Sequence, residues 1–526
     1  MTGSKYGGIY WCDNCNVPLL TKKCNICGTE GRYCAFDMKP VFEQERRLLE
    51  TELSIEIPVD SFMSQTRVIT AGRTFFQFGV TDGKLYLKKP PPQKVAHSDY
   101  GSSAEYWEIV VDANRPVLKQ LRNQSLAHID DVANREEYKG HKKLVLFSGG
   151  KDSAIVALLV TEAIGEVPLF YADTTIESPA TIQYAKDFAS RYNLELVIES
   201  PDQTFFDLCS RLEPPSKFIR WCCTALKANP ASKFIKSRGP VLSFDGIRAC
   251  ESRSRREYPL VQPHRKLASQ ITVHPLLAGW STLAIWLYTM DNEIPVNPEY
   301  YRGQHRVGCI VCPFNALWDE FLSRHYHPTV WKEFISVLQE YTREHQLPED
   351  WITSGEWKYR RPSSSVSVAA IERHCPVLSE SGKDVSRIVL SHPLPVDVAT
   401  EFLKPFAHVA CLNDEYIFQP ARDEYSITLK VEPGSLYSIY ISTISSVNGR
   451  IRRLVTKQLK KALNCVGCGG CTGICPNNAI EVSDTGHFHI NEKRCSHCLR
   501  CVTNNFVERG CLALMSKSEI QIVSRQ

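Results

Sequence analysis

The stretch LVLFSGGKDS, residues 144–153, predicts a buried strand, a tight glycine turn and the first turn of a helix. The glycines let the backbone approach an anion closely, and the free amides and dipole of a helix N-terminus favour negative charge. The spacing matches neither the Walker loop nor the dinucleotide-binding glycine pattern. We therefore expect a phosphate-binding loop with Lys151 as a catalytic cation and the following phosphate-binding residues: Ser148, Gly149, Gly150, Asp152 and Ser153.

Strands and helices alternate beyond this loop. Strand-like segments occur at 167–174 (VPLFYADT), 194–200 (LELVIES) and 240–244 (PVLSF), with helical segments between the first two. This alternation predicts an α/β fold with a doubly wound parallel sheet, whose ligands lie beyond the carboxyl ends of the strands. Asp173, Arg248 and Arg255 fall at that edge. We expect Asp173 to bind nucleotide, and the two arginines to be catalytic residues that hold anionic oxygens with their planar guanidinium groups.

The chain has 21 cysteines among 526 residues, and most of them cluster. Disulfide scaffolds belong to short secreted chains, whereas repeated C-x-x-C pairs in a long chain indicate metal ligation. Residues 11–28, WCDNCNVPLLTKKCNICG, contain two such pairs in a segment too short to bury a core. Four thiolates from two pairs suit tetrahedral zinc, which would hold the segment together. The predicted zinc ligands are Cys12, Cys15, Cys24 and Cys27.

A second group of cysteines lies in the α/β segment. Cys222 and Cys223 are adjacent, and Cys309 and Cys312 form a later C-x-x-C pair. Neighbouring cysteines are unusual ligands for a single zinc ion. A [4Fe-4S] cube has four separated iron corners and accommodates them better. We therefore predict that these four thiolates bind a [4Fe-4S] cluster.

The C-terminal segment repeats a spacing that is typical of two-cluster ferredoxins. It contains C-x2-C-x2-C-x3-C-P from residue 465, then a second C-x2-C-x2-C triplet from residue 495 and a later cysteine. In this pattern the fourth cysteine of the first run binds the other cluster. One predicted cube is bound by Cys465, Cys468, Cys471 and Cys511, and the other by Cys495, Cys498, Cys501 and Cys475.

Taken together, these motifs resemble the iron–sulfur sulfonucleotide reductases of the phosphoadenosine phosphosulfate (PAPS) reductase family, within the PP-loop superfamily. The phosphate loop, the adjacent cysteines and the later C-x-x-C occur in that family's order. DTTIESPAT at 173–181, GIRACESRSR at 246–255 and NPEYYRGQHRVGCIVC at 297–312 also match. With its ribbon and ferredoxin-like tail, the chain is most similar to archaeal and anaerobe members. The family's C-terminal E-C-G-L-H motif, with its nucleophilic cysteine, is absent.

The resemblance implies an oxidoreductase that reduces PAPS or adenosine 5′-phosphosulfate (APS) to sulfite. That reduction needs two electrons, and two ferredoxin cubes could relay them from an external low-potential donor. Two other functions stay open. The intact phosphate loop also suits an ATP-dependent sulfur transferase acting on tRNA, and a nucleotide-binding redox sensor without turnover would carry the same motifs. Cys250, within the arginine-rich segment, is a candidate nucleophile.

The composition is that of a globular protein, with 43% hydrophobic and 23% charged residues and a net charge of +4. No stretch approaches the roughly 18 apolar residues of a membrane helix, and no apolar signal segment is visible, so we expect a cytoplasmic protein without a membrane partner. Homo-oligomerisation stays open. The predicted units are a zinc ribbon at 1–40, a mixed α+β region at 41–140, the α/β domain at 141–362, a small α+β domain at 371–455 and a ferredoxin-type domain at 456–526.

Overall fold

The computed structural model describes residues 8–92, 103–263, 270–360, 378–381, 385–412, 415–420, 425–432, 435–443, 448–463, 465, 467–483 and 487–503. Cys511 lies outside them. Among the helices of these ranges, none combines the length and the apolar character needed to cross a membrane.

Two antiparallel sheets precede the α/β core. The first has the strand order β2-β1-β3, formed by β1 Ile9–Cys12, β2 Val17–Leu19 and β3 Arg32–Ala35. The second has five strands in sequence order, β4 Lys39–Pro40, β5 Phe62–Ser64, β6 Arg67–Thr70, β7 Arg73–Thr81 and β8 Lys84–Lys89. Helix α1, Glu43–Leu53, connects β4 to β5, and the long helix α2, Ser103–Ala133, precedes the core.

The central sheet has six strands in the order β11-β10-β9-β12-β14-β13. They are β9 Lys142–Leu146, β10 Leu169–Ala172, β11 Leu196–Glu199, β12 Val241–Phe244, β13 Val261–Pro263 and β14 Gln270–Val273. All neighbours pair in parallel except β13, which runs antiparallel along β14 at the edge. The predicted α/β fold with a parallel core sheet is therefore confirmed.

Helices connect these strands and extend the domain. They are α3 Lys151–Ile164, α4 Pro179–Arg191, α5 Phe205–Leu212, α6 Asn229–Arg238, α7 Arg253–Arg256, α8 Thr282–Asp291, α9 Pro298–Tyr301, α10 Leu317–Tyr326 and α11 Pro328–Glu344. Local chemistry sets several starts. Ser178 caps α4, which has proline in its first turn, and Thr204 forms a capping box with Asp207 at α5. A π-helical segment, Cys223–Ala228, leads into α6.

The C-terminal part contains a six-stranded antiparallel sheet in the order β15-β16-β20-β19-β18-β17. Its strands are β15 Leu378–Ser381, β16 Val385–Pro395, β17 Ala407–Leu412, β18 Glu415–Pro420, β19 Tyr425–Glu432 and β20 Ser435–Thr443. Helices α12, Val396–Leu403, and α13, Asn448–Leu463, accompany this sheet. The cysteine-rich tail adds the hairpin β21 Ile480–Val482 and β22 Phe488–Ile490 and the short helix α14 Arg500–Thr503.

The N-terminal sheet shares a hydrophobic core with the central domain. Trp11 is buried and contacts Phe62 edge to face, with ring centroids 5.9 Å apart, and both belong to the apolar cluster that contains α2 and α3 side chains. A polar contact strengthens this attachment. The Asp37 carboxylate accepts hydrogen bonds from the amides of Thr282 (2.8 Å) and Leu283 (3.2 Å) at the start of α8. The N-terminal segment thus caps a helix of the α/β domain.

We predict that Asp37→Ala lowers the free energy of unfolding by about 1 kcal/mol, the usual effect of losing a helix cap. Asp37→Asn should keep most of the stability, because an amide oxygen can still accept from the helix amides. Urea unfolding of the full chain measures both. Equal stability of wild type and Asp37→Ala would show that this cap does not hold the N-terminal segment.

Candidate active site

The phosphate loop between β9 and α3 is held in one conformation by side chains from elsewhere. Gly149 has a φ of +67°, and a β-carbon there would lie 2.7 Å from the Thr181 methyl carbon. Asn297 donates a hydrogen bond to the Gly149 carbonyl (2.9 Å) and another to Thr181 Oγ1 (3.2 Å). Inside the loop, the Ser153 hydroxyl accepts from the Ser148 amide and donates to the Gly150 carbonyl. A side chain at position 149 would therefore disrupt the loop.

Three charged groups are packed together beneath this loop. Lys151 Nζ lies 2.9 Å from Asp152 Oδ2, and Arg248 Nε lies 2.6 Å from Asp152 Oδ1. Burial alone would raise the pKa of Asp152, but the two cations outweigh it and lower the pKa. The Lys151 ammonium also lies 5.1 Å from the centre of the Tyr300 ring. These contacts fix Lys151 inside the protein, so it is not a mobile cation at the mouth of the site.

Arg248 and Arg255 occupy different environments. The buried Arg248 guanidinium donates to the Trp280 carbonyl (3.3 Å) and Thr282 Oγ1 (3.4 Å), in addition to its contact with Asp152. Arg255 pairs with Glu251 and its side chain is 28% exposed. Of the two, Arg255 is therefore the guanidinium that can reach a ligand from solvent.

Glycine 246 explains how closely the arginine-rich segment approaches the phosphate loop. A β-carbon there would lie 2.9 Å from the backbone carbonyl carbon of Asp152 and 3.0 Å from the amide nitrogen of Ser153. The segment after β12 thus packs directly on the first turn of α3. This contact brings Arg248 to Asp152.

Asp173 follows β10, at the same edge of the sheet. Its carboxylate accepts hydrogen bonds from the Thr175 amide (2.8 Å) and the Ser200 hydroxyl (3.2 Å). Thr175 has a φ of +60°, so the carboxylate supports a tight turn as well as lying at the ligand edge.

The Cys250 thiol lies 3.0 Å from Arg248 Nη1 and 3.4 Å from the Trp280 carbonyl. Burial raises its pKa to about 11, although Arg248 acts in the opposite direction. The thiolate is the reactive form of cysteine. Cys250 is therefore poorly suited to act as a nucleophile near neutral pH.

The structure brings the four central cysteines together. The Cys309 sulfur lies 3.5 Å from Oγ1 of Thr174, which is the second residue after β10. Residues 177 and 309 form an isolated β-bridge. Cys222 and Cys309 pack against the same apolar cluster, which includes Trp221 and Ile310. Thiols from two segments of the chain thus meet at the carboxyl edge of the sheet, beside the strand that leads to the phosphate loop.

Cationic side chains surround this thiol group. The Cys222 thiol donates to Cys223, and Arg220 and Lys227 add positive charge, which together lower the pKa of Cys223 to about 5. Arg220 Nη2 lies 3.6 Å from the Cys223 sulfur. Burial raises the pKa of Cys309. The site therefore favours a bound thiolate at Cys223, and the cations compensate negative charge that four thiolates would introduce.

The N-terminal cysteines form a tighter group. Cys12, Cys15, Cys24 and Cys27 have all their sulfur atoms within 4.8 Å of one another, and among the described residues this is the only such group of potential metal ligands. The Cys12–Cys27 and Cys15–Cys24 sulfur distances are 3.5 Å and 3.9 Å. Tetrahedral zinc with bonds of about 2.3 Å requires sulfur atoms about 3.8 Å apart. This group can therefore hold a single metal ion, whereas the central thiols are more widely spaced.

The described C-terminal cysteines fall into two groups. One cleft is lined by apolar residues and by four thiols: Cys475, Cys495, Cys498 and Cys501. Cys465, Cys468 and Cys471 lie together, close enough for their charges to affect one another's pKa. The fourth predicted ligand of that group, Cys511, lies outside the described residues.

Sequence reasoning missed a histidine–carboxylate pair at the same edge of the sheet. The buried His274 Nδ1 lies 2.7 Å from Asp245 Oδ1, and the two residues follow β14 and β12 directly. Asp245 also accepts from the Ile247 amide (3.1 Å) and so shapes the turn into the arginine-rich segment. The position of Asp245 after a predicted strand was a usable signal. His274 gave none, because β14 was not predicted.

The raised pKa of Cys250 gives a direct test. We predict that alkylation of Cys250 by iodoacetamide is slow at pH 7 and accelerates about tenfold per pH unit until pH 11, because only the thiolate reacts. Peptide mass spectrometry of the full chain, sampled over time at each pH, measures this rate. A plateau reached below pH 9 would contradict the assignment.

Comparisons with known proteins agree with this geometry. Residues 142–315 match the phosphoadenosine phosphosulfate reductase domain. Two uncharacterized proteins of Methanocaldococcus jannaschii are each 29% identical, over 50% and 47% of this chain and 54% and 59% of their own lengths. The chain thus spans little more than half of these relatives. An adenosine 5′-phosphosulfate reductase of Deinococcus radiodurans is 25% identical over 33% of this chain and 67% of its own length. Over residues 142–315, this chain is therefore similar to the phosphoadenosine phosphosulfate reductase domain.

Proposed function

We propose that the protein is an iron–sulfur sulfonucleotide reductase that converts PAPS or APS to sulfite. The observation that carries the proposal is the 3.5 Å contact between Thr174 and Cys309. It joins the central thiol group to the end of β10, and β10 pairs with β9, the strand that leads into the phosphate loop. A nucleotide held at that loop would have its sulfate close to the thiols.

The binding residues divide the substrate between them. Ser148, Gly149, Gly150 and Ser153 would hold the phosphate, and the partly exposed Arg255 would hold sulfate or phosphate oxygens. Asp173 would contact the nucleotide from the next loop. Lys151 and Arg248, which the sequence predicts as catalytic residues, would instead position the phosphate loop, because both are buried against Asp152.

The donor sets fit the proposed metal groups. Cys222, Cys223, Cys309 and Cys312 would hold one [4Fe-4S] cluster, and the two C-terminal groups would hold two more, with Cys511 completing the first. The four N-terminal thiols have the spacing of a zinc site. Bound iron–sulfur clusters would supply single electrons at low potential.

The overall reaction balances without a thiol nucleophile. The bond between sulfur and the bridging oxygen breaks, the oxygen leaves with the adenosine phosphate, and the sulfur gains two electrons and leaves as sulfite. An external low-potential one-electron donor would supply both electrons. The high pKa of Cys250 supports a reaction that does not need a cysteine thiolate in the arginine-rich segment.

A sulfur transferase that consumes ATP is the main alternative, since the phosphate loop is intact. In such an enzyme a loop lysine would be expected to reach the nucleotide phosphates. Here the Lys151 ammonium is bound to Asp152 and lies over Tyr300, which favours the reductase.

The test uses full-length protein purified without oxygen and reduced with titanium(III) citrate, because the oxidation of dithionite would itself produce sulfite. The reduced protein receives APS, PAPS, or ATP with tRNA, and sulfite and pyrophosphate are measured by ion chromatography. We expect sulfite from APS or PAPS and no tRNA-dependent pyrophosphate. Pyrophosphate release that requires tRNA would support the transferase. Nucleotide binding with neither product would indicate a redox sensor.

We predict that Cys222→Ser lowers the iron content from about twelve to about eight atoms per chain, because one of three four-iron clusters loses a ligand. Cys209→Ser is the matched control, since Cys209 is a buried free thiol in the same apolar cluster. Iron is measured by colorimetric assay on anaerobically reconstituted protein. Equal iron in Cys222→Ser and wild type would rule out a central cluster at this position.

A further inference from the structure

The C-terminal cysteine segment packs against the α/β domain through glycines that have no room for a side chain. A β-carbon on Gly470 would lie 2.9 Å from Thr224 Cγ2, and one on Gly473 would lie 2.5 Å from Ser232 Cβ. One on Gly469 would lie 2.8 Å from Asn229 Nδ2. All three glycines are buried. We call this surface the glycine face. It brings the tail backbone directly onto the π-helical segment and α6.

Hydrogen bonds hold the same contact. Lys236, on α6, donates to the carbonyls of Thr472 (2.7 Å) and Cys475 (2.5 Å). The Thr472 hydroxyl donates to Asn229 Oδ1 (2.8 Å). Half-buried donors and acceptors that are paired across a contact would each lose a partner if it opened, at a cost of about 1–3 kcal/mol for each group left unpaired. This pairing indicates a stable attachment rather than a chance approach.

The glycine face adjoins two of the cysteine groups. The β-carbon position of Gly470 is 3.7 Å from the Cys468 sulfur and 2.9 Å from Thr224 Cγ2. Thr224 follows Cys223 in the chain. Cys468 also packs against the apolar cluster that contacts Cys222 and Cys309. Among the described residues, none that lines the Cys498 cleft belongs to this cluster, and Cys498 is exposed.

We propose that the glycine face is a fixed electron-transfer junction, which holds the Cys465–Cys468–Cys471 group against the Cys222–Cys223 segment and excludes water between them. This proposal rests on the proposed function and adds the direction in which electrons would move through the chain. The exposed Cys498 group faces the external donor, and the Cys468 group faces the α/β domain. The two electrons needed for each sulfite come from that external low-potential donor, for which dithionite substitutes in the test.

The experiment compares Gly470→Val and Gly473→Val with Gly140→Val in the full-length, iron-loaded protein. Neither Gly470 nor Gly473 has a positive φ, so valine at either position tests the packing and not the backbone conformation. The control, Gly140, is exposed and has no atoms near its β-carbon position. Amide hydrogen exchange is measured over residues 224–235. Electron paramagnetic resonance of dithionite-reduced protein, without nucleotide, measures the magnetic interaction between reduced centres.

We expect each junction variant to raise exchange over 224–235 at least tenfold and to reduce the magnetic interaction, while Gly140→Val matches wild type. Wild-type exchange and an unchanged spectrum in both junction variants would overturn the proposal. If a valine variant loses iron, Lys236→Met is used instead, because it removes two hydrogen bonds without adding bulk. A tenfold rise in its amide hydrogen exchange over 224–235 would support the proposal, and wild-type exchange would overturn it. These readouts need no sulfonucleotide. A wild type that makes no sulfite would therefore refute the proposed function separately.

Discussion

The hydrogen bond from the Asn297 side chain to the Gly149 carbonyl joins the two halves of the site. Gly149 belongs to the phosphate loop, and Asn297 begins the segment that carries Cys309 and Cys312. The Tyr300 hydroxyl, three residues later, accepts from the Lys151 amide at the start of α3 (3.2 Å). The loop that would bind phosphate is therefore held by Asn297, which caps α9, and by Tyr300 within it, and α9 belongs to the same segment of the chain as Cys309 and Cys312.

Charged side chains lie next to the phosphate loop and next to the central thiols. Lys151, Asp152 and Arg248 form a buried group whose net charge is +1, and Lys151 directly follows Gly150 of the phosphate loop. A buried cation that is already paired lends positive potential to the loop without needing to move. Around the central thiols, Arg220 and Lys227 serve the same electrostatic purpose for negative sulfur. In the proposed function, anion binding and thiolate binding would thus rely on separate sets of cations.

The sequence was most informative where chemistry is local. The strand–loop–helix at 144–153 and the metal-ligand spacings each depend on residues a few positions apart, and β9, β10, β11 and β12 were all expected from apolar runs. Long-range contacts were not visible. Nothing near Lys151 or Arg248 in the chain shows that both would be buried against Asp152. Strand β14, with the sequence QITV, lacks the apolar run that marks β10, β11 and β12. The packing role of the glycines at 469, 470 and 473 was not visible either, because their partners lie more than 200 residues earlier.

The glycine face also sets an order for biogenesis. Thr224 and Asn229 leave the ribosome well before Gly470 is synthesised, so the surface beside Cys222 and Cys223 stays uncovered while the second half of the chain is made. If the central thiols hold a cluster as proposed, iron insertion from that side would have to precede docking of the tail. A chain that ended before Gly469 would then leave the proposed centre without this cover.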